Sequence, residues 1–201
     1  MFLTRRDLAL TLAGLNIAAF APKLPVVILT TSLGPITIQL RPDRAPLSAA
    51  DFLKYVDARA YEGGRFFRTV RPDNDRGHPK INVIQGGTRP DVIPAKSIPH
   101  ETTKMTGLSH TDGTISLTRD APGTGSGSEF FICVGDNTGL NYGGKRNPDG
   151  QGFAAFGHVI AGMETVRQIW QQKDTSGKSD SPYTINQIHA SPIPIITARR
   201  A

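Results

Sequence analysis

The chain has one cysteine in 201 residues, so no internal disulfide can form. That residue, Cys133, falls in the apolar run Phe130 to Val134 and reads as a buried, unreactive thiol. Five histidines, His78, His100, His110, His158 and His189, show no pairing at metal-ligand spacing, and beside a lone cysteine they make no zinc site. Long hydrophobic runs are missing too. The segment Leu8 to Ala21 is only 14 residues long and is softened by Thr11, Gly14 and Asn16, too short to cross a membrane as a helix. Charge is not concentrated either: the net +6 is scattered without a long basic run, which argues against nucleic acid as a partner. There is no internal repeat.

A hydrophobic content of 38% suits one domain with a sizeable core, and 21 glycines with 15 prolines favour a turn-rich, mainly β architecture over a helical bundle. The first residues are set apart. Thr4-Arg5-Arg6-Asp7 precedes the weakly apolar stretch, and Ala19-Phe20-Ala21 has the small-x-small form of a cleavage site. Adjacent arginines in this position resemble a twin-arginine export signal. Residues 1–21 are therefore assigned to export and 22–201 to a single domain, and without residues 1–21 the net charge is +5. The implied address is the bacterial periplasm, with a membrane tether if Pro22 prevents cleavage.

Strand signals cover Val26 to Thr31 and Pro35 to Leu40, joined as a hairpin through Ser32-Leu33-Gly34. A helix over about residues 47–58 follows, with Ser48 and Asp51 at capping-box spacing and Ala49, Phe52, Leu53 and Val56 as its apolar stripe. Further strands are expected at Arg65 to Val70, Ile81 to Gln85, Thr114 to Thr118, Phe130 to Val134 and Phe153 to Val159. Met163, Val166, Ile169 and Trp170 mark a second helix, and Tyr183 to His189 and Ile193 to Ala198 are two closing strands split by Pro192 and Pro194. Residues 71–80 read as an exposed polar loop, and Asn141 to Gly152 as a second, with the turn signal Asn147-Pro148-Asp149-Gly150. Many short strands with two helices suggest a closed antiparallel barrel with helical caps, which leaves no sheet edge open.

The most informative run is Ser128-Glu129-Phe130-Phe131-Ile132-Cys133-Val134. Strand alternation puts Glu129, Phe131 and Cys133 on one face, and Phe130 and Ile132 on the other. One face can pack a core while the other floors an apolar pocket. The glycine-rich stretch before it, Gly123 to Ser128, is no phosphate loop, since no lysine follows and it leads into a strand. It does not spell a hydrolase Gly-x-Ser-x-Gly elbow. Asp73-Asn74-Asp75 lacks the glycine and closing glutamate of a calcium loop.

Phe66-Phe67-Arg68, Ile84-Gln85-Gly86-Gly87 and Ser128-Glu129-Phe130-Phe131-Ile132, in this order, resemble the cyclophilin family of peptidyl-prolyl cis-trans isomerases. Gly107 to Ser116 and Phe156-Gly157-His158-Val159-Ile160-Ala161-Gly162-Met163 carry the likeness further, to about residues 26–198 with two loop insertions. The resemblance implies a closed antiparallel eight-stranded β-barrel capped by two α-helices, and isomerisation of X-Pro bonds without cofactor or metal. By the same resemblance, Arg68 is the catalytic guanidinium, Gln85 steadies it and bonds near the proline carbonyl, and Phe131 floors the proline pocket. Thr118-Arg119 offer a backbone clamp for the residue before proline. Val83, Glu129, Leu140 and Phe153 complete the substrate surface.

The chain also departs from the family pattern. Phe67 replaces a histidine, Asn82-Val83 stand where Phe-Met is frequent, Glu129 replaces a glutamine, and Phe153 replaces a pocket histidine. Glu129 would place a carboxylate where it competes for Arg68. Gly139 lacks the aromatic ring that contacts cyclosporin in sensitive members, so weak binding of that drug is expected. Proline-containing polypeptides are the implied partners and a monomer the expected state. The alternative reading is a proline-peptide-binding module or chaperone on the same barrel with little turnover, favoured by Phe67, Asn82-Val83 and Glu129.

Overall fold

A computed structural model describes residues 23–173, 175, 177 and 181–201. The segment 1–21 assigned to export lies outside the described residues. The elements run β1 (Val26–Thr31), β2 (Gly34–Leu40), α1 (Pro46–Asp57), β3 (Arg65–Val70), β4 (Val83–Gly87), a one-turn helix α2 (Thr103–Thr106), β5 (Thr114–Leu117), β6 (Glu129–Cys133), a 3-10 turn (Thr138–Leu140), β7 (Ala154–Ala161), α3 (Met163–Trp170) and β8 (Ile188–Arg200). The strands close into a barrel in the order β1-β2-β7-β5-β6-β4-β3-β8, and each neighbouring pair is antiparallel. α1 packs on β7 and β8, and α3 on β2, β3 and β4.

The barrel encloses the main core, in which Phe52 from α1 meets Tyr61, Phe130 and Phe156 at ring centroid separations of 5.2–5.6 Å. Aromatic pairs in such tilted and edge-on geometries add about 0.5–1.5 kcal/mol each beyond their buried area. The alternation read in β6 holds: Phe130 and Ile132 belong to this interior, while Phe131 and Cys133 join Val70, Ile81, Val83 and Leu140 in a second cluster. Burial first, then the nearby Asp112 carboxylate, push the Cys133 thiol well above its ordinary pKa, the direction of an inert group.

Three sequence expectations are corrected. Ser48 and Asp51 form no capping box: Ala45 is the N-cap and makes no side-chain cap, and Pro46 opens the helix. Glu101, remote in sequence, accepts the Leu47 and Ser48 N–H groups at 3.1 and 2.7 Å and the Ser48 hydroxyl at 2.7 Å. A carboxylate at this end of α1 satisfies the free N–H groups and complements the helix dipole. Asp51 instead accepts the Gly127 N–H at 2.7 Å, tying the glycine-rich loop to α1.

The 71–80 segment is not a wholly exposed loop, because Arg71 and Asp75 are buried. Arg71 donates to the Gln172 carbonyl at 2.6 Å beyond α3, and Asp75 is gripped by Arg146 through two 2.8 Å bonds. Finally, β8 is one strand, and residues 182–187 form turns, so Tyr183 to Gln187 are not strand. Its pairing with β3 jumps from Ile193 opposite Phe66 to Ile188 opposite Arg68. Such a bulge leaves ladder positions unpaired, so Pro192, which cannot donate, does not split the strand.

Candidate active site

Register alone aligns the central residues. Arg68 on β3 stands opposite Gln85 on β4, and Gln85 stands opposite Phe131 on β6. Side chains opposite one another share a face, so this row crosses the outer wall of the barrel. Strict alternation would place Arg68 on the face of Phe66, which is fully buried inside. A bulge between Phe66 and Arg68 shifts the phase and turns the guanidinium outward. Gly86 permits the pairing, since a Cβ there would lie 2.8 Å from the Phe66 ring.

Every residue that the sequence reading assigned to the site lines one cavity of about 450 Å³. Its floor is apolar: Phe131 meets Phe153 edge-on at 5.3 Å, flanked by Val83 and Leu140. Beneath Phe131, His110 stacks at 5.8 Å and 18° and is held by Asn141 Oδ1 at 2.8 Å and Ser116 Oγ at 3.1 Å. Burial outweighs the Asn141 hydrogen bond and lowers the His110 pKa to about 4, so the ring is neutral near pH 7.

Arg68 is fixed by two glutamines. Its Nη1 donates to Gln85 Oε1 at 2.8 Å, and its Nε and Nη2 donate to Gln187 Oε1 at 2.9 and 2.7 Å. A guanidinium has five N–H donors. Three are engaged among the described residues, leaving one on each terminal nitrogen. Burial first, then nearby Arg146, lower the Arg68 pKa to about 10, against the opposing pull of Asp75 and Glu129, so it stays charged at neutral pH.

Glu129 lies near enough for its charge to act on Arg68, but the two form no hydrogen bond or ion pair among the described residues. Its Oε2 accepts the Gln85 amide N–H at 3.0 Å, which turns Gln85 Oε1 toward Arg68. Gly87, opposite Glu129 in the register, carries no side chain, and the carboxylate meets Gln85 diagonally across β4 and β6. Thr118 edges the cavity and approaches Glu129 Oε2 at 3.5 Å. The Arg119 side chain is turned away from solvent: it grips Asp149 at 2.8 and 2.9 Å, donates to the Gly152 carbonyl at 2.7 Å and covers the Phe153 ring at 5.2 Å. At Gly139, which lacks the aromatic of the family pattern, no open gap remains, because a Cβ there would run into the Pro79 ring.

Sequence reasoning missed Gln187, His110 as the support of Phe131, and the Asp75–Arg146 pair. Gln187 lies 119 residues from Arg68, and no local pattern marks it. Asp75 and Arg146 sit in segments that read only as polar loops.

Residues 26–190 match the family model described as cyclophilin type peptidyl-prolyl cis-trans isomerase/CLD. The chain is 32% identical over 98% of both lengths to peptidyl-prolyl cis-trans isomerase A of Dickeya dadantii. It is 33% identical to a peptidyl-prolyl cis-trans isomerase of Acinetobacter baylyi, over 82% of this chain and 81% of that one. In fold it resembles a cyclophilin type peptidyl-prolyl cis-trans isomerase of Cryptosporidium parvum, with a TM-score of 0.63 at 19% identity over 89% of this chain and 98% of that one; the same protein has been solved with the dipeptide ala-pro. With the family model spanning most of its length, this chain belongs to the cyclophilin-type peptidyl-prolyl cis-trans isomerases.

Proposed function

We propose that the protein accelerates rotation about X-Pro bonds in polypeptides, with Arg68 as the catalytic group, Gln85 and Gln187 as its positioners, and Phe131 as the seat of the proline ring. The uncatalysed barrier is about 18–20 kcal/mol because rotation breaks amide resonance. At the twisted midpoint the proline nitrogen regains its lone pair and becomes a hydrogen-bond acceptor. A guanidinium N–H aimed there binds the twisted state better than either planar isomer, which is the differential binding that catalysis requires. Arginine suits the task because it stays charged and its planar fork holds a direction.

One charge-assisted hydrogen bond contributes about 1.5–3 kcal/mol, or roughly one to two decades of rate. The rest must come from the desolvated floor and from backbone contacts along Thr118. The observation that carries this reading is an Arg68 held on two sides, with two N–H donors left over, on the same cavity as Phe131. The chemistry needs no cofactor. In an NMR exchange assay on a blocked Ala-Pro peptide, Arg68→Ala is expected to lower the catalysed rate at least tenfold. Equal rates would remove Arg68 from the mechanism, and no catalysis by the wild type would favour a binding module.

The export reading is part of the same proposal. Arg5-Arg6 ahead of Leu8 to Ala21 supports translocation to the periplasm, where the clients would be exported chains whose proline isomerisation takes tens to hundreds of seconds. Replacing Arg5-Arg6 by Lys-Lys should retain the protein in the cytoplasm, and periplasmic recovery of that variant would count against the twin-arginine route. A monomer and weak cyclosporin binding complete the proposal. Gel filtration and titration of the drug test them, with a dimer or tight binding as the contrary results.

A further inference from the structure

We propose that Glu129 makes this isomerase prefer proline sites carrying a lysine or arginine within two residues of the proline. The inference names a substrate class for the site proposed above and rests on that reading. Glu129 and Phe131 share one face of β6, separated by two residues, about 6.7 Å along a strand. Successive Cα atoms of a bound chain are about 3.8 Å apart. A proline seated on Phe131 therefore brings the side chain one or two positions away next to the Glu129 carboxylate.

That carboxylate is exposed on the cavity wall, and among the described residues its hydrogen bonds fall on Oε2 alone, from Gln85 at 3.0 Å and Thr118 at 3.5 Å. Among the described residues it forms no ion pair, although Arg65 occupies the register position beyond Gly87. Of the cationic groups that line the cavity, Arg68 feels the Glu129 charge, but neither it nor Arg119 forms an ion pair with that carboxylate. Arg119 is neutralised by its two-pronged contact with Asp149, and Arg68 is held by neutral glutamines over the proline seat. Asp120, also exposed, adds a second acidic residue to the lining near Thr118. A substrate cation at this end meets an exposed carboxylate at small desolvation cost, whereas a substrate carboxylate is repelled by it.

The test measures kcat/KM of the full chain by NMR exchange on two series of blocked peptides, Xaa-Ala-Pro-Phe with Ala-Xaa-Pro-Phe before the proline and Ala-Ala-Pro-Xaa with Ala-Ala-Pro-Phe-Xaa after it, with Xaa as Lys, Gln or Glu. Lys should exceed Glu about fivefold in at least one series, a gap that narrows in 0.5 M salt because exposed charges are screened. Glu129→Gln keeps an acceptor for the Gln85 amide and should bring the ratio within about twofold. A Lys/Glu ratio near one in both series, or one that survives Glu129→Gln, overturns the proposal. If even neutral Ala-Ala-Pro-Phe rotates at its uncatalysed rate, the isomerase reading fails instead. Dissociation constants for the same peptides, judged by the same ratios, then decide the charge preference separately.

Discussion

Gln187→Ala is the most discriminating perturbation of this site. Gln187 is fully buried, accepts from two nitrogens of Arg68 through one oxygen, and donates its own amide to the Asn74 carbonyl at 2.9 Å. Truncation leaves the Arg68 Nε–H and one Nη2–H without an acceptor and leaves the guanidinium held only by Gln85. Each hydrogen bond to a charged group contributes about 1.5–3 kcal/mol. Part of this returns when the loosened guanidinium finds water, so a loss of about 1.4 kcal/mol in transition-state binding, roughly tenfold in kcat/KM, is the expected size. The loss should fall mainly on kcat, since the apolar floor that binds the proline is untouched.

A purely structural defect is separated by the double variant. In an Arg68→Ala background there is no guanidinium left to orient, so adding Gln187→Ala should change activity less than about twofold. Exchange kinetics on a blocked Ala-Pro peptide, with urea midpoints to check folding, measure all four proteins. Full activity in the single variant, or an undiminished tenfold loss on top of Arg68→Ala, would refute the positioning role.

Asp75→Asn removes the partner of a buried cation, with the Asp75 side chain 1% and the Arg146 side chain 15% exposed, and should cost about 3–5 kcal/mol in urea unfolding; a loss under about 1 kcal/mol would show that the two loops do not depend on this pair. Gly139→Trp should destabilise rather than improve the pocket, because the new side chain must displace Pro79; a variant of wild-type stability that also binds cyclosporin tightly would contradict the geometry. His110 has its folded pKa lowered to about 4 from the ordinary 6.5, so the unfolded chain binds more protons between those values and stability falls as pH drops through that window. The full effect is about 3 kcal/mol, and NMR titration of His110 near pH 6.5 would refute it. Activity should stay flat from neutral pH upward and decline only as Arg68 loses its proton near pH 10; a fall centred near pH 8 would point to another group.

How much of this was legible beforehand differs from element to element. The β6 run exposed both its faces, because alternation along a strand is a local property, and Phe131 and Phe130 do part company as their spacing requires. The α1 stripe was readable for the same reason, with Phe52, Leu53 and Val56 all buried. Its cap was not, since the acceptor is Glu101, more than fifty residues away.

Sequence by itself determined most of the short segments that become strands and helices and that they suffice for one mainly β domain, and its family resemblance singled out Arg68, Gln85 and Phe131 as candidates. Tertiary structure alone decided that they meet. Cross-strand register sets Arg68, Gln85 and Phe131 in one row, and the bulge after Phe66 reverses the face that alternation would give Arg68. Gln187 and Glu129 then fix the orientation of guanidinium and amide from opposite sides. Side-chain periodicity is written in neighbours along the chain, whereas register, bulges and partners across 119 residues arise only when the barrel closes and every strand must share its hydrogen bonds with two others.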